Sequence, residues 1–157
     1  MLPKAMSSKK LAILAIVGLL LVGGAGFGYY TMKMNAESFR GIEVSVKGVE
    51  EDQVKSWVEA FQTALKRDDV AELIVEKSGY VEKLGVPEGE AVNHLKEAAV
   101  VKISKQRKAI QIGLKGKRKQ NAALDEISRT IFNVAAVAAA ELEPDFADYY
   151  RKLSENR

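Results

Sequence analysis

The chain has 157 residues with no cysteine and one histidine, and it carries 24 basic against 21 acidic residues. The lack of cysteine excludes thiol catalysis, disulfides and cysteine-bound metals. The single His94 argues against a histidine metal site or a Ser-His-Asp triad. Residues 1–36 hold four of the lysines and no acidic residue, so the rest of the chain has 20 basic and 21 acidic residues. We therefore do not expect a generally cationic, nucleic-acid-binding domain.

The first predicted element is a segment without charged residues from Leu11 to Met32. About twenty helical residues span roughly 30 Å, the thickness of a bilayer hydrocarbon core. Lys9 and Lys10 precede the segment, so the positive-inside rule predicts that residues 1–10 are cytoplasmic and that 11–32 form a transmembrane helix. The sequence thus predicts a single-pass membrane protein with its C-terminal domain outside the cytoplasm.

Two further features of this segment bear on its role. Gly24 and Gly28 form a GxxxG pair, which would permit close packing of membrane helices. A cleaved signal peptide is the alternative, with Gly24-Ala25-Gly26 supplying small residues at the cleavage site. The apolar run continues to Tyr30, which favours an uncleaved anchor.

A folded domain is predicted over residues 42–143, after a polar linker at 33–41. Ile42, Val44 and Val46 alternate with polar residues, which is typical of a half-buried strand. Apolar residues then recur at helical spacing, and Trp57 lies on the first apolar stripe and should belong to the core. Predicted helices cover residues 50–66, 68–84 and 88–98, with Gly79 as a weak point in the second.

The clearest β signal comes next, followed by the longest helix. Val101 and Ile103, and then Ile110, Ile112 and Leu114, alternate with polar residues around a turn at Gln106-Arg107. This pattern predicts a hairpin with one apolar face. A long helix is predicted from Gln120 to Leu142, and a terminal amphipathic helix within the tail at 144–157. We expect an α+β fold: a small ferredoxin-like sandwich of three strands with helices on one face.

Catalytic and cofactor motifs are missing, but one basic cluster stands out. No acidic residue occurs from Ala98 to Leu124, a stretch that holds eight basic residues. The hairpin would divide this cluster between its two ends, where it could contact an anionic polymer, lipid headgroups or an acidic protein surface. The predicted anionic contact consists of Lys105, Arg107, Lys108, Lys117, Arg118 and Lys119. We expect no enzyme activity, cofactor or metal.

Residues 69–135 resemble the Wzz-type chain-length determinant domain of bacterial polysaccharide co-polymerases. The similarity lies in the segment Asp69–Val86, in the hairpin sequence Val100–Leu114 and in the helix that starts at Gln120-Asn-Ala-Ala-Leu124. The resemblance implies a non-catalytic extracytoplasmic domain that self-assembles beside a polysaccharide polymerase or export protein. No second apolar run follows residue 142, so the sequence departs from the family and indicates a reduced relative or an accessory subunit.

The sequence therefore predicts a membrane-anchored domain that forms homo-oligomers and assists polysaccharide chain-length control or export. A structural or assembly subunit of a pilus, secretion or division apparatus is the alternative, because such subunits also combine one anchor with a small α+β domain.

Overall fold

The structure, a computed structural model, describes residues 28–155 of the chain. The chain divides into two units, Met1–Ala36 and Glu37–Arg157. In the first unit residues 28–35 are helical (α1), and Thr31 donates a hydrogen bond to the carbonyl oxygen of Gly28 at 2.9 Å. Among residues 28–155 no helix has the length and apolar character needed to cross a membrane. Most of the predicted membrane helix at 11–32 lies outside the described residues.

The second unit has an α+β architecture, which confirms the predicted fold class at that level. A three-stranded antiparallel sheet carries helices between its first and second strands and after its third. Two short 3-10 turns, Glu88–Glu90 and Arg118–Gln120, each precede a helix. The elements are β1 (Glu37–Ser45), α2 (Glu51–Lys66), α3 (Asp68–Ser78), α4 (Tyr80–Leu84), α5 (Ala91–Ala98), β2 (Ala99–Ser104), β3 (Ala109–Lys117), α6 (Asn121–Leu142) and α7 (Pro144–Glu155).

The sheet has the strand order β1-β3-β2, with the last strand in the middle. β3 is antiparallel to both neighbours, so β1 and β2 run in the same direction and are separated by β3. The helical connection from β1 to β2 makes this a split β-α-β unit. Glu37 pairs with Lys117 at one end of the β1 ladder, and Ser45 pairs with Ala109 at the other.

The core lies between one face of the sheet and the helices. Ile110, Ile112 and Leu114 of β3 have no exposed surface, and α6 packs across β1 and β3 while α2 packs on β2 and α6. Trp57 is only 1% exposed, which confirms its predicted place in the core. It contacts Phe146 of α7 edge-to-face, with 5.4 Å between the ring centroids.

Two boundaries differ from the predicted ones. Residues 37–41, assigned to the linker from sequence, belong to β1. Ser38 and Arg40 interrupt the apolar alternation there. The guanidinium of Arg40 lies 3.9 Å from Asp125 of α6, and the hydroxyl of Ser128 donates to the Arg40 carbonyl oxygen at 2.8 Å. The second predicted helix divides into α3 and α4 because Gly79 adopts a left-handed conformation with φ of 65°.

Candidate contact surface on the sheet

The candidate site is the face of the sheet opposite to α2 and α6, here called the outer face. Side chains alternate between the two faces of a strand. Because Ile110, Ile112 and Leu114 point into the core, the residues between and after them point the other way. The strand register completes the outer face, whose middle part comprises Phe39, Gly41, Glu43, Val100, Lys102, Gln111, Gly113 and Lys115.

Two glycines form the middle of the outer face. Gly41 of β1 and Gly113 of β3 are direct partners in the ladder. A Cβ atom on Gly113 would lie 2.0 Å from the carbonyl oxygen of Arg40 and 2.4 Å from the Cα of Gly41. A side chain at this position therefore requires the strands to move apart.

Phe39 and Lys102 lie next to these two glycines. The Cζ atom of Phe39 is 2.8 Å from the place where a Cβ of Gly41 would be, so the ring occupies the space that the glycine leaves. The Nζ atom of Lys102 lies 4.2 Å from the centroid of the Phe39 ring. This cation–π contact joins the two outer strands of the sheet across β3 and holds one positive charge on the outer face.

Glu43 organises the end of the outer face nearest the hairpin turn. Its Oε1 accepts a hydrogen bond from Gln111 Nε2 at 2.6 Å and another from the guanidinium of Arg107. These two hydrogen bonds, that of Gln111 first, hold the pKa of Glu43 below its usual value. Arg107 is therefore engaged by a carboxylate that stays ionised at neutral pH.

The six cations predicted as an anionic contact lie at the two ends of the hairpin. Lys105, Arg107 and Lys108 lie in the turn between β2 and β3, and Lys117–Lys119 lie where β3 ends. The nine residues of β3 at about 3.4 Å each put the two groups roughly 27 Å apart. The structure does not bring them together.

Two lysines of the outer face lie between these ends. Lys102 of β2 and Lys115 of β3 carry the positive charge along the hairpin from its turn to its base. Neither lysine belongs to the anionic contact that the sequence predicts. We call the whole series the hairpin track: Lys102, Lys105, Arg107, Lys108, Lys115, Lys117, Arg118 and Lys119.

Several charges of the hairpin track have no acidic partner. Arg107 is paired with Glu43, and the Nζ of Lys115 lies 4.0 Å from Glu37. None of the ion pairs formed within residues 28–155 involves Lys105, Lys108 or Lys117–Lys119. Lys102 forms no such ion pair either but lies over the Phe39 ring, so these five are the cations of the track that have neither an ion pair nor an aromatic contact within residues 28–155.

A groove of about 590 Å³ adjoins the hairpin turn. Lys105 and Lys108 line it together with Glu50 and Glu51, so it contains charges of both signs. Lys108 has φ of 47° and is the only residue other than glycine in the left-handed region among residues 28–155. Its carbonyl oxygen accepts a hydrogen bond from the amide of Val46 at 2.8 Å, which ties the turn to the end of β1.

The second predicted site was the glycine pair of the membrane segment. Gly24 lies outside the described residues. Gly28 is the first described residue, and a Cβ atom there would meet nothing within 4 Å. Helix packing through this pair stays a prediction.

Sequence reasoning missed a hydrogen-bonded pair between α4 and α5, in which only Tyr80 is buried. Tyr80 has no exposed surface, and its hydroxyl forms a hydrogen bond of 2.7 Å with Nδ1 of the exposed His94. Burial raises the pKa of the Tyr80 hydroxyl. No local motif indicates the pair, because the two residues are brought together by the turn between α4 and α5. Within the described part of the chain, no group of three or more His, Asp or Glu side chains could hold a metal ion.

No family model, curated protein or solved structure gives a match to the chain. The resemblance to the Wzz-type domain therefore stays a prediction from the sequence, and the chemistry of the outer face and the hairpin track is the basis for a functional proposal.

Proposed function

We propose that this chain is a membrane-anchored, non-catalytic extracytoplasmic protein that oligomerises and assists control of polysaccharide chain length or export. In this proposal an anionic polysaccharide lies along the hairpin track. The observation that carries it is that five cations at the two ends of one hairpin, Lys105, Lys108 and Lys117–Lys119, form no ion pair with any residue of the range 28–155.

The connectivity supports the finer architecture that belongs to this proposal. The order β-α-β-β-α with the sheet order β1-β3-β2 matches a ferredoxin-like sandwich up to the point where its fourth strand would follow. Here α7 follows α6 instead. A single transmembrane helix at 11–32 would hold this domain at the periplasmic face of an inner membrane, where the Wzz-type resemblance also places it.

The distribution of charge favours a polymer over a small anion. An exposed ion contact contributes at most about 1 kcal/mol, so no single lysine of the track binds tightly. A ligand with repeated charges can engage both ends of the track at once, and each further contact then forms at a high effective concentration. The domain as a whole has no excess of basic residues, so the attraction depends on where the cations lie.

The proposal is tested by neutralising these five cations at the ends of the hairpin. We expect the full chain in detergent to bind immobilised sodium alginate, and the variant K105A/K108A/K117A/R118A/K119A to lose at least tenfold in affinity. Wild-type binding should also weaken steeply between 50 and 500 mM salt, because exposed charges are screened beyond about 10 Å at 0.1 M. Equilibrium binding measured over this salt range checks both expectations.

A matched variant removes five positive charges from the helices instead: K55A/K66A/K83A/K96A/R129A. It has the same net charge as the test variant, so it should retain wild-type affinity if position decides. Equal losses in the two variants would contradict a binding track on the hairpin. In the source organism, the test variant should also change the length distribution of the surface polysaccharide, and an unchanged distribution would contradict the role in chain-length control.

A further inference from the structure

The middle of the outer face is organised in rows that cross the three strands. Glu43 pairs with Gln111, and Gln111 pairs with Lys102, so these three residues form one row. The next row toward the base of the hairpin contains Gly41 and Gly113, which pair with each other and have no side chains. A side chain from a neighbouring row can therefore extend over the two glycines.

Phe39 extends over this glycine row and lies between two lysines. Its Cζ atom is 2.8 Å from the place where a Cβ of Gly41 would be. The Nζ atom of Lys102 lies 4.2 Å from the centroid of its ring, and Lys115 is its direct partner in the β1–β3 ladder. Phe39 is partly exposed and both lysines are exposed. An aromatic surface and two positive charges therefore reach solvent together, between the ends of the hairpin track.

The carboxylates near this ring leave the two lysines available to a ligand. Glu43 is paired with Arg107. Glu37 lies 4.0 Å from the Nζ of Lys115, but the two side chains are 76% and 51% exposed, and exposed ion pairs of this kind are weak. A carboxylate on a ligand can therefore replace Glu37 as the partner of Lys115 at little cost.

The contact between Lys102 and Phe39 can be exchanged for contacts with a ligand. A cation–π contact at an exposed site is weak, so the ammonium group can leave the ring. The negative face of an aromatic ring also attracts C–H groups, which carry a weak positive charge. One face of a pyranose ring presents several such groups, and a carboxylate on the same sugar can pair with the displaced ammonium.

This exchange selects a chemical class of ligand. A uronic acid unit has the C–H face and the carboxylate in one sugar, so it replaces both sides of the contact. A neutral sugar would cover the ring but would leave the displaced Lys102 without a partner. A polyphosphate would pair with the lysine but has no apolar face for the ring. The site therefore favours acidic sugars over neutral sugars and over other polyanions.

We propose that Phe39, together with Lys102 and Lys115, binds one uronic acid unit of the polymer that follows the hairpin track. This inference rests on the proposed function and deepens it by naming the sugar class and the residue that distinguishes a polysaccharide from another polyanion. The cations at the two ends of the track attract any anionic polymer. The ring between them adds a contact that only a sugar can make.

Binding of two polymers by the full chain in detergent tests this subsite. We expect Phe39→Leu, which keeps an apolar side chain but has no ring, to lose about threefold or more in affinity for sodium alginate. Its affinity for sodium polyphosphate at the same salt concentration should be that of wild type, because the cations of the track remain. Phe39→Tyr restores an aromatic face and should recover most of the alginate affinity that Phe39→Leu loses.

Acetylation of lysine side chains in the wild-type chain gives a second measurement that needs no variant. Saturating alginate should reduce the acetylation of Lys102 and Lys115 at least threefold, as measured by mass spectrometry of the digested chain. Lys55 of α2 is the internal control and should keep its reactivity. This measurement decides the question if Phe39→Leu unfolds, which circular dichroism would detect.

The subsite is overturned if folded F39L keeps wild-type alginate affinity, if it loses the same factor with both polymers, or if F39Y binds alginate as weakly as F39L. It is also overturned if Lys102 stays fully reactive under saturating alginate. Each of these outcomes leaves alginate binding by the ends of the track, and with it the proposed function, in place. A wild-type chain that does not bind alginate would instead overturn the polymer role and the subsite together.

Discussion

Gly113 shows how a single residue constrains the sheet. It faces Gly41 across the β1–β3 ladder, and its backbone approaches that of Arg40 so closely that a Cβ would lie 2.0 Å from a carbonyl oxygen. Real Cβ contacts are not that short, and the obstacle is main chain, which cannot rotate away as a side chain can. The residue therefore matters for the distance between strands rather than for a special φ angle.

We expect Gly113→Ala to destabilise the domain by about 2 kcal/mol or more, because overpacking at a rigid contact typically costs 1–3 kcal/mol. Gly89→Ala is the matched control, since a Cβ there meets nothing within 4 Å, and it should be neutral or slightly stabilising. Urea unfolding followed by circular dichroism compares the two variants. Equal urea midpoints for the two variants would show that the β1–β3 contact adapts to the added methyl group without loss of stability.

Tyr80 links the stability of the domain to alkaline pH. Its buried hydroxyl has a raised pKa, so folding favours the neutral form. The neutral hydroxyl therefore makes its full contribution to the free energy of unfolding below the ordinary tyrosine pKa of about 10. This contribution is lost as the pH rises from there through the folded-state pKa.

We expect Tyr80→Phe to cost about 0.5–1.5 kcal/mol at pH 7, through loss of the hydrogen bond to His94. Phenylalanine cannot ionise, so the difference from wild type should shrink as the pH rises from 9 to 11. Thermal unfolding at each pH gives this difference, and Tyr150→Phe controls for loss of a hydroxyl elsewhere. A difference that stays constant or widens with pH would contradict the linkage.

At the scale of elements, α7 is an integral part of the core. Its Phe146 has no exposed surface and contacts both Trp57 and Phe61, at centroid distances of 5.4 and 4.9 Å. The hydroxyl of Tyr149 donates to the carbonyl oxygen of Ser45, at the end of β1. α7 thus contacts both the buried rings of Trp57 and Phe61 and the end of the edge strand β1.

We expect Phe146→Ala to destabilise the domain by about 3–5 kcal/mol, the usual cost of removing a buried aromatic ring. Trp57 is the only tryptophan of the chain, so its emission should shift to the red as water reaches the indole. Tyr150→Phe should change the free energy of unfolding by less than about 0.5 kcal/mol. An unchanged emission maximum together with a wild-type urea midpoint in F146A would mean that α7 is dispensable.

The elements with strong periodicity could be predicted from sequence. Alternation in Val101–Ile103 and Ile110–Leu114 identified the hairpin, and the run from Gln120 to Leu142 identified the long helix, which begins at Asn121. The first half of β1 could not be predicted, because Arg40 lies where an apolar residue would keep the alternation. Arg40 is tolerated there because Asp125 of α6 lies 3.9 Å from its guanidinium, a tertiary contact without a local signal.

At the scale of the whole molecule, the sequence predicted the cations of the candidate site but not the residues that surround them. The division of the basic cluster between two hairpin ends follows from the position of the turn, which alternation locates. The contact of Lys102 with Phe39 depends on strand order, since β3 lies between their strands. The groove between α3 and α6 depends on the packing of these two helices, and residues so far apart in sequence give no local pattern that predicts it.

The central position of β3 also decides when the sheet can be completed. Every backbone partner of β1 within the described strands comes from residues 109–117, so the first strand to be synthesised must wait for the last. The hairpin of β2 and β3 closes a short loop, whereas the β1 ladder closes a loop through four helices and is entropically slower to form. During translation β1 therefore remains an unpaired strand, and Glu37, Arg40 and Glu43 are the charges that discourage its association with other nascent chains in that interval.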